Sequence, residues 1–386
     1  MAVKIARQPN KIALLGAPTS AAAMSAGHEG APAALRAAGI VERLREVGYE
    51  VTDLGDDPVQ LYQPDDESPR ARNLPRVIAS LEALKPRVEQ ATKSGALPLI
   101  LGGDCSIALA TTAGLRRYYR NVSMIYFDRD ADVNTPATTL SGCLDGMVVS
   151  HLTGRGAAEM VRFWGEPPLI REPDLDLFGT DRFDPAEEEL LRTSPLRHHF
   201  ASEIHRMGAT AAAEAALVRL RGDNHQFVLH FDVDAIPEFE ATNYPGSGGL
   251  NFEEVSEALK VFAKQKQMAA FEVTAYNPKK DPDGSGAKRV VDLIVEVLKT
   301  RLEVLKAAAE NSPSDPASTK KEIAAVPETE TPGHADPEIA AGLEVPEAPE
   351  IAVPPVVPGE AWSADSLDEG PDGESAIAEE ADESNS

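Results

Sequence analysis

Val122-Ser-Met-Ile-Tyr-Phe127-Asp128-Arg-Asp130-Ala-Asp132 is the stretch on which the reading of this chain turns. A run of apolar, β-favouring residues leads directly into three acids at alternate positions. About a hundred residues later the pattern returns as Gln226-Phe-Val-Leu-His-Phe231-Asp232-Val-Asp234. Short apolar runs bounded by polar residues predict buried parallel strands. Acids just past such strands lie at the carboxyl edge of an α/β sheet, where ligand crevices form. Five carboxylates gathered there repel one another unless a cation neutralises them, and hard divalent cations take oxygen ligands. The alternative is that these are ordinary strand-end Asp residues capping helices and turns.

Working outward, strand-like and helix-like segments alternate. Lys11–Gly16, Val51–Leu54, Leu97–Leu101, Leu175–Phe178 and Met268–Val273 read as further strands. Helices are expected at Pro32–Val47, Leu74–Lys93, Ser106–Tyr119, Pro185–Leu191, Thr210–Leu220, Phe252–Lys264 and Ala287–Ala309. Strand, helix, strand throughout predicts an α/β fold, a three-layer α/β/α arrangement around a mainly parallel sheet. No internal repeat is apparent.

The 386 residues carry a formal charge of −26, unevenly spread. Asn311–Ser386 holds 19 Asp/Glu against two Lys and is crowded with Pro, Ala and Ser, as in Ile351-Ala-Val-Pro-Pro-Val-Val-Pro358. Such a segment buries too little apolar area to offset the entropy of ordering, so a disordered acidic tail (311–386) is expected to follow one domain (1–310). The domain is itself acidic, which disfavours a nucleic-acid partner. Two cysteines, Cys105 and Cys143, exclude a disulfide scaffold and suit a reducing compartment. With no apolar run long enough for a membrane span and no secretory-type N-terminus, the expected location is cytoplasmic and the expected partner a small molecule.

Several further motifs, in order along the chain, resemble the arginase/ureohydrolase family of metal-dependent hydrolases of guanidino and related C–N bonds. Ala26-Gly-His-Glu-Gly-Ala-Pro32 with Leu35-Arg36 is similar to its Gly-rich lead into the first helix, and Gly102-Gly103-Asp104 to its Gly-Gly-Asp-His. Asp128-x-x-x-Asp132-x-Asn134 is similar to its Asp-x-His-x-Asp-x-Asn, Asp232-Val-Asp234 to its Asp-x-Asp, and Asn277-Pro278 to the Asn-Pro of its closing strand. The resemblance spans Lys11 to about Leu305. It implies two divalent metals, usually Mn2+, sharing a hydroxide, and members that often assemble as homo-oligomers. Cys105, Asp128, Asp132 and Asp232 would hold one metal; Asp128, Asp130, Asp232 and Asp234 would hold the other. Asn134, Thr139 and Ser141 fall where the family faces a substrate carboxylate, and Asp184 where it faces an ammonium. The plainer reading of these four is ordinary loop residues and, for Asp184-Pro185, a helix N-cap.

The chain departs from the family at its histidines. Cys105 and Asp130 stand where metal-binding histidines are usual, Asp145 stands at the proton-shuttle position, and Ala275 replaces a guanidinium-holding Glu. Five Asp and a thiolate total −6 against +4 for two divalent ions, which weakens the Lewis acid, and a thiolate shifts preference towards Fe2+ or Zn2+. Cys105 reads equally as a ligand or as a small buried residue, and if its thiol stays protonated its metal is held weakly and a single-metal site is expected, so one or two ions are open. Asp145 reads as a catalytic proton carrier alongside Asp130, or as a solvated loop acid, and Cys143 as loop packing. His151, His198, His199, His205, His225 and His230 lack metal-ligand spacing. The expected activity is hydrolysis of a linear amidine or guanidino group on a small amino-acid-like substrate, with arginine turned over poorly. The alternative is a catalytically inactive arginase-fold binding or scaffold protein.

Overall fold

The computed structural model describes residues 5–218, 220, 225–237 and 239–311. The acidic tail inferred from composition therefore lies, from residue 312 onward, outside the described residues.

Eight strands form one sheet: β1 (Lys11–Gly16), β2 (Glu50–Asp56), β3 (Leu97–Leu101), β4 (Asn121–Phe127), β5 (Leu175–Thr180), β6 (Arg197–Phe200), β7 (His225–Asp232) and β8 (Met268–Thr274). Their spatial order is β2-β1-β3-β8-β7-β4-β5-β6, and every pairing is parallel. The last two strands in sequence thus insert between β3 and β4. Leu101, Val273, Phe231 and Phe127 lie level with one another across β3, β8, β7 and β4. The residues that follow them therefore leave the middle of the sheet side by side, and this register brings distant parts of the sequence together at one edge.

Successive strand residues point to opposite faces. Ile125 and Phe127 enter one core, with Phe231, Leu229 and the helices Ala209–Leu217, Phe252–Ala263 and Ser285–Glu310; Met124 and Tyr126 enter the other, with Leu74–Lys93 and Ile107–Arg116. Two cores flanking one sheet make the three layers expected from the sequence. The Phe127 ring lies edge-on to Phe178 and Phe231, at 5.0 and 5.6 Å. Burying each such ring contributes roughly 1.5–3 kcal/mol.

Two expectations are corrected. Pro32–Val47 is not one helix but two, Ala31–Ala37 and Ile40–Glu46, because Gly39 adopts φ 88° and breaks the run. The sheet also has an eighth strand, β6, whose sequence Arg-His-His-Phe has no apolar run; it is a four-residue edge strand, partly exposed along its length. No described helix is long and apolar enough to cross a membrane.

Candidate metal centre

The loop after β3 is pressed against residues 17–22. A Cβ at Gly103 would lie 2.5 Å from the carbonyl oxygen of Thr19 and 2.7 Å from that of Ala17, so no other residue fits. Asp104 fastens the same contact, accepting hydrogen bonds from the backbone N–H of Ala22 (3.0 Å) and of Ser106 (3.2 Å). Cys105 is thereby held over the sheet edge, 2 % exposed. Its thiol donates to Asp232 Oδ2 at 2.9 Å and lies 4.0 Å from Asp128 Oδ2 and 3.3 Å from Thr274 Oγ1.

Asp128 and Asp232 each use one oxygen locally and turn the other inward. Asp128 Oδ1 accepts from the N–H of Asp130 at 2.8 Å, and Asp232 Oδ1 from that of Asp234 at 2.7 Å. The turn-capping reading therefore holds for half of each carboxylate, and the remaining oxygens face the cluster. Asp132 sits in the left-handed region (φ 50°) and accepts from the Tyr126 hydroxyl. Asp234 Oδ2 lies 3.5 Å from Arg129 and 3.3 Å from Arg182, while its Oδ1 is buried with no partner. Asp130 is gripped by two nitrogens of Arg182, which arrives on the loop after β5. Arg129 bonds the carbonyl of Tyr244 and lies so close to Gly246 that a Cβ there would sit 2.4 Å from its Nη1.

Burial, then mutual repulsion, pushes Asp128, Asp132, Asp234 and Asp145 well above the usual carboxylate range. The same two causes push the Cys105 thiol far up. Burial opposes the charge on Arg182, but the hydrogen bonds and charge of Asp130, with that of Asp234, hold it above its ordinary value. Asp128, Asp132, Asp234 and Asp145 therefore hold protons more tightly than free carboxyls do, and a cation would compete with those protons. The inward oxygens of Asp128, Asp232 and Asp234 approach within 4.8 Å of one another. That convergence, with the unpartnered Asp234 Oδ1, fits a divalent cation.

Above the acids lies a cavity of about 260 Å³, the size of a small metabolite. Cys105, Asp128, Asp130, Asp132, Asp232 and Asp145 line it, together with Asn134 and Ser141. Thr139 and Asp184 do not: Thr139 Oγ1 accepts from the Gly142 N–H (2.9 Å), and Asp184 caps Pro185–Thr193 and accepts from Asn134 Nδ2 (2.9 Å). Asp145 is not a solvated loop acid. It is 4 % exposed and accepts from the Cys105 N–H (2.8 Å) and the Tyr244 hydroxyl (2.9 Å). Cys143, read as loop packing, is buried and borders the cavity. Ala275 is fully buried at φ 62° and contributes no acid.

Sequence reasoning missed Arg129, Arg182, Glu187, Tyr244 and His230. Glu187 borders the cavity and is pushed up to about 7 by burial, while its oxygens accept from the N–H groups of Val133 and Asp184. For the two arginines a signal was available, since each immediately follows an acid of these loops (Asp128-Arg129, Asp181-Arg182). Tyr244 carried none, because the loop that brings it over Asp145 has no periodic pattern.

Comparison with known proteins gives this arrangement a lineage. A sequence model described as Arginase family matches residues 10–299. The arginase of Bacillus caldovelox is 30 % identical over 289 residues, covering 73 % of this chain and 96 % of the relative. The crystal structure of arginase from Bacillus cereus superposes with a TM-score of 0.68 at 30 % identity, covering 75 % of this chain and 98 % of that one. That of Entamoeba histolytica arginase, solved with L-ornithine, gives 0.68 at 25 % identity over 76 % and 99 %. By sequence and by fold, the chain belongs to the arginase family.

Proposed function

We propose that this protein is a metal-dependent hydrolase of a non-peptide C–N bond, acting on a guanidino or amidine group carried by a small amino-acid-like molecule. The observation that carries this reading is the convergence of Asp128, Asp232 and Asp234, with an unpartnered buried oxygen on Asp234, beneath a cavity of metabolite size. A divalent cation bound there supplies a Lewis acid that activates water and offsets charge developing on the substrate.

The chain's own groups then divide the remaining work. Asn134 and Ser141 stand at the cavity wall, where they can orient the polar head of the substrate. Thr139 and Asp184 support that wall through their hydrogen bonds, Asp184 by fixing the Asn134 amide. The Entamoeba relative's structure with an α-amino acid supports an amino-acid-like substrate. Asp145, whose carboxyl burial and neighbouring acids push well above the usual carboxylate range, can deliver a proton to the departing nitrogen. The Tyr244 hydroxyl and the Cys105 N–H fix its orientation. Arginine itself should be a poor substrate. Arg182 already presents a guanidinium to Asp130 and Asp234, and no acid projects from position 275.

The test is release of urea, ammonia or formamide from a panel of guanidino and amidino amino acids by protein loaded separately with Mn2+, Fe2+ and Zn2+. Turnover of a substrate other than arginine is expected. Failure of every substrate with every metal would overturn the proposal.

A further inference from the structure

We infer that this chain holds one divalent cation rather than two, on Cys105, Asp128, Asp232 and an imidazole supplied from inside β7 by His230, with the guanidinium groups of Arg129 and Arg182 standing in place of the second cation. The inference rests on the proposed metal dependence only for the presence of a cation: it keeps Asp128 and Asp232 as ligands but moves the ion from the Asp234 side of these shared acids to the Cys105 and His230 side, and so says which ligands and how many ions.

His230 is fully buried on the strand that ends in Asp232. Ligand atoms of Cys105, Asp128 and His230 approach within 4.8 Å of one another. The imidazole Nδ1 lies 2.8 Å from Glu272 Oε1, on the neighbouring strand β8. An N–H donated to that carboxylate fixes the tautomer and leaves Nε2 with its lone pair, the pattern in which a carboxylate orients a metal-binding histidine. Thr274 Oγ1 lies 3.5 Å from Nε2 and 3.3 Å from Cys105 Sγ, so this edge of the ring borders the thiol. The ring stacks on Tyr126, with centroids 4.3 Å apart and planes 3° from parallel. Glu272 is itself fully buried, and a buried carboxylate with no purpose beyond packing is costly. The imidazole lost at position 105 is thus restored from the strand rather than from the loop.

On the other side of the cluster, Asp130 and Asp234 face Arg182, and Asp234 also faces Arg129. Two fixed positive charges there do the electrostatic work of a divalent ion. A set of one sulfur, one nitrogen and carboxylate oxygens suits Zn2+, Fe2+ or Co2+ better than Mn2+.

The experiment uses the full chain, stripped by chelation and reloaded with Zn2+ or Co2+. One ion per chain is expected by elemental analysis, and the Co2+ form should show the intense near-ultraviolet absorption of thiolate-to-cobalt charge transfer. Cys105→Ser should abolish that band, and Glu272→Gln should weaken Zn2+ binding about 10–100-fold in chelator competition. Circular dichroism and melting curves check that each variant is folded; if Cys105→Ser does not fold, the wild-type band alone decides the sulfur ligand. Two ions per wild-type chain, no charge-transfer band, or unchanged affinity in folded Glu272→Gln would each overturn the inference. Two ions with amidine hydrolysis would leave the proposed function standing; one ion with the band but no hydrolysis would leave only this inference.

Discussion

Replacing Asp232 with Asn should move the melting temperature in one direction without metal and abolish its response to metal. The substitution is nearly isosteric, and Asn keeps an oxygen to accept the Asp234 N–H now bound at 2.7 Å. After burial, the charge on Asp232 is the largest influence raising both Asp128 and Asp234. Two unit charges 4 Å apart interact by about 4 kcal/mol at an effective dielectric of 20, but Asp128 and Asp234 are pushed up and so carry less than full charge, which leaves a relief of about 1 kcal/mol. A cation at a hundred times its Kd adds about 2.7 kcal/mol to the wild type. Unfolding entropy over residues 10–299 is about 0.6 kcal/mol/K, so metal should raise the wild-type Tm by about 4 °C and the substitution alone by about 1–2 °C. The assay is thermal denaturation of stripped protein, with and without Zn2+, Fe2+ or Mn2+. A wild type that responds to none of these ions would refute the reasoning. So would a variant that melts several degrees lower without metal, because Asp232 would then be a structural acid.

Arg182→Met should destabilise the metal-free protein by about 1–2 kcal/mol, less than a fully buried pair because the Arg182 side chain is 41 % exposed. An unchanged melting curve would show that the guanidinium offsets nothing. Gly246→Ala should cost about 1–3 kcal/mol in urea unfolding, since the new Cβ meets Arg129 Nη1 at 2.4 Å; no loss would mean that Arg129 is free to move aside. His151 is fully buried with both ring nitrogens unpartnered, and burial lowers it from 6.5 to about 4. The unfolded chain therefore binds a proton that the folded chain refuses, and stability falls as pH drops through that window. Between pH 7 and 4.5 the wild type should lose about 2 kcal/mol more than His151→Gln. Parallel pH profiles for the two proteins would count against this.

What the sequence made legible follows from which interactions are local. Phe127-Asp128 and Phe231-Asp232 announce themselves because a buried parallel strand must be apolar throughout and an acid must end it, and the level register of Phe127 with Phe231 then joins them. Helices such as Leu74–Lys93 were legible because one apolar stripe repeats over twenty residues, whereas β6 and the short helices at Val148–Thr153 and Ala201–Met207 span too few residues to show a period. His230 was passed over for a related reason. Spacing along the chain does not reveal it, because its partners Cys105, Asp128 and Glu272 come from three other parts of the sequence. The balance of charge was misjudged in the same way. Ligands alone total −6 against +4; Arg129 and Arg182, though each follows an acid in the sequence, enter the balance only because the fold turns them towards the cluster. That they do so follows from the loops after β4 and β5 being tied together, the N–H groups of Asp181 and Arg182 both donating to the Arg129 carbonyl, at 2.9 and 3.0 Å. Held so close, Arg182 grips Asp130 and both guanidinium groups reach Asp234, at 3.3 and 3.5 Å, so the acids that would otherwise demand a second metal are already partly neutralised.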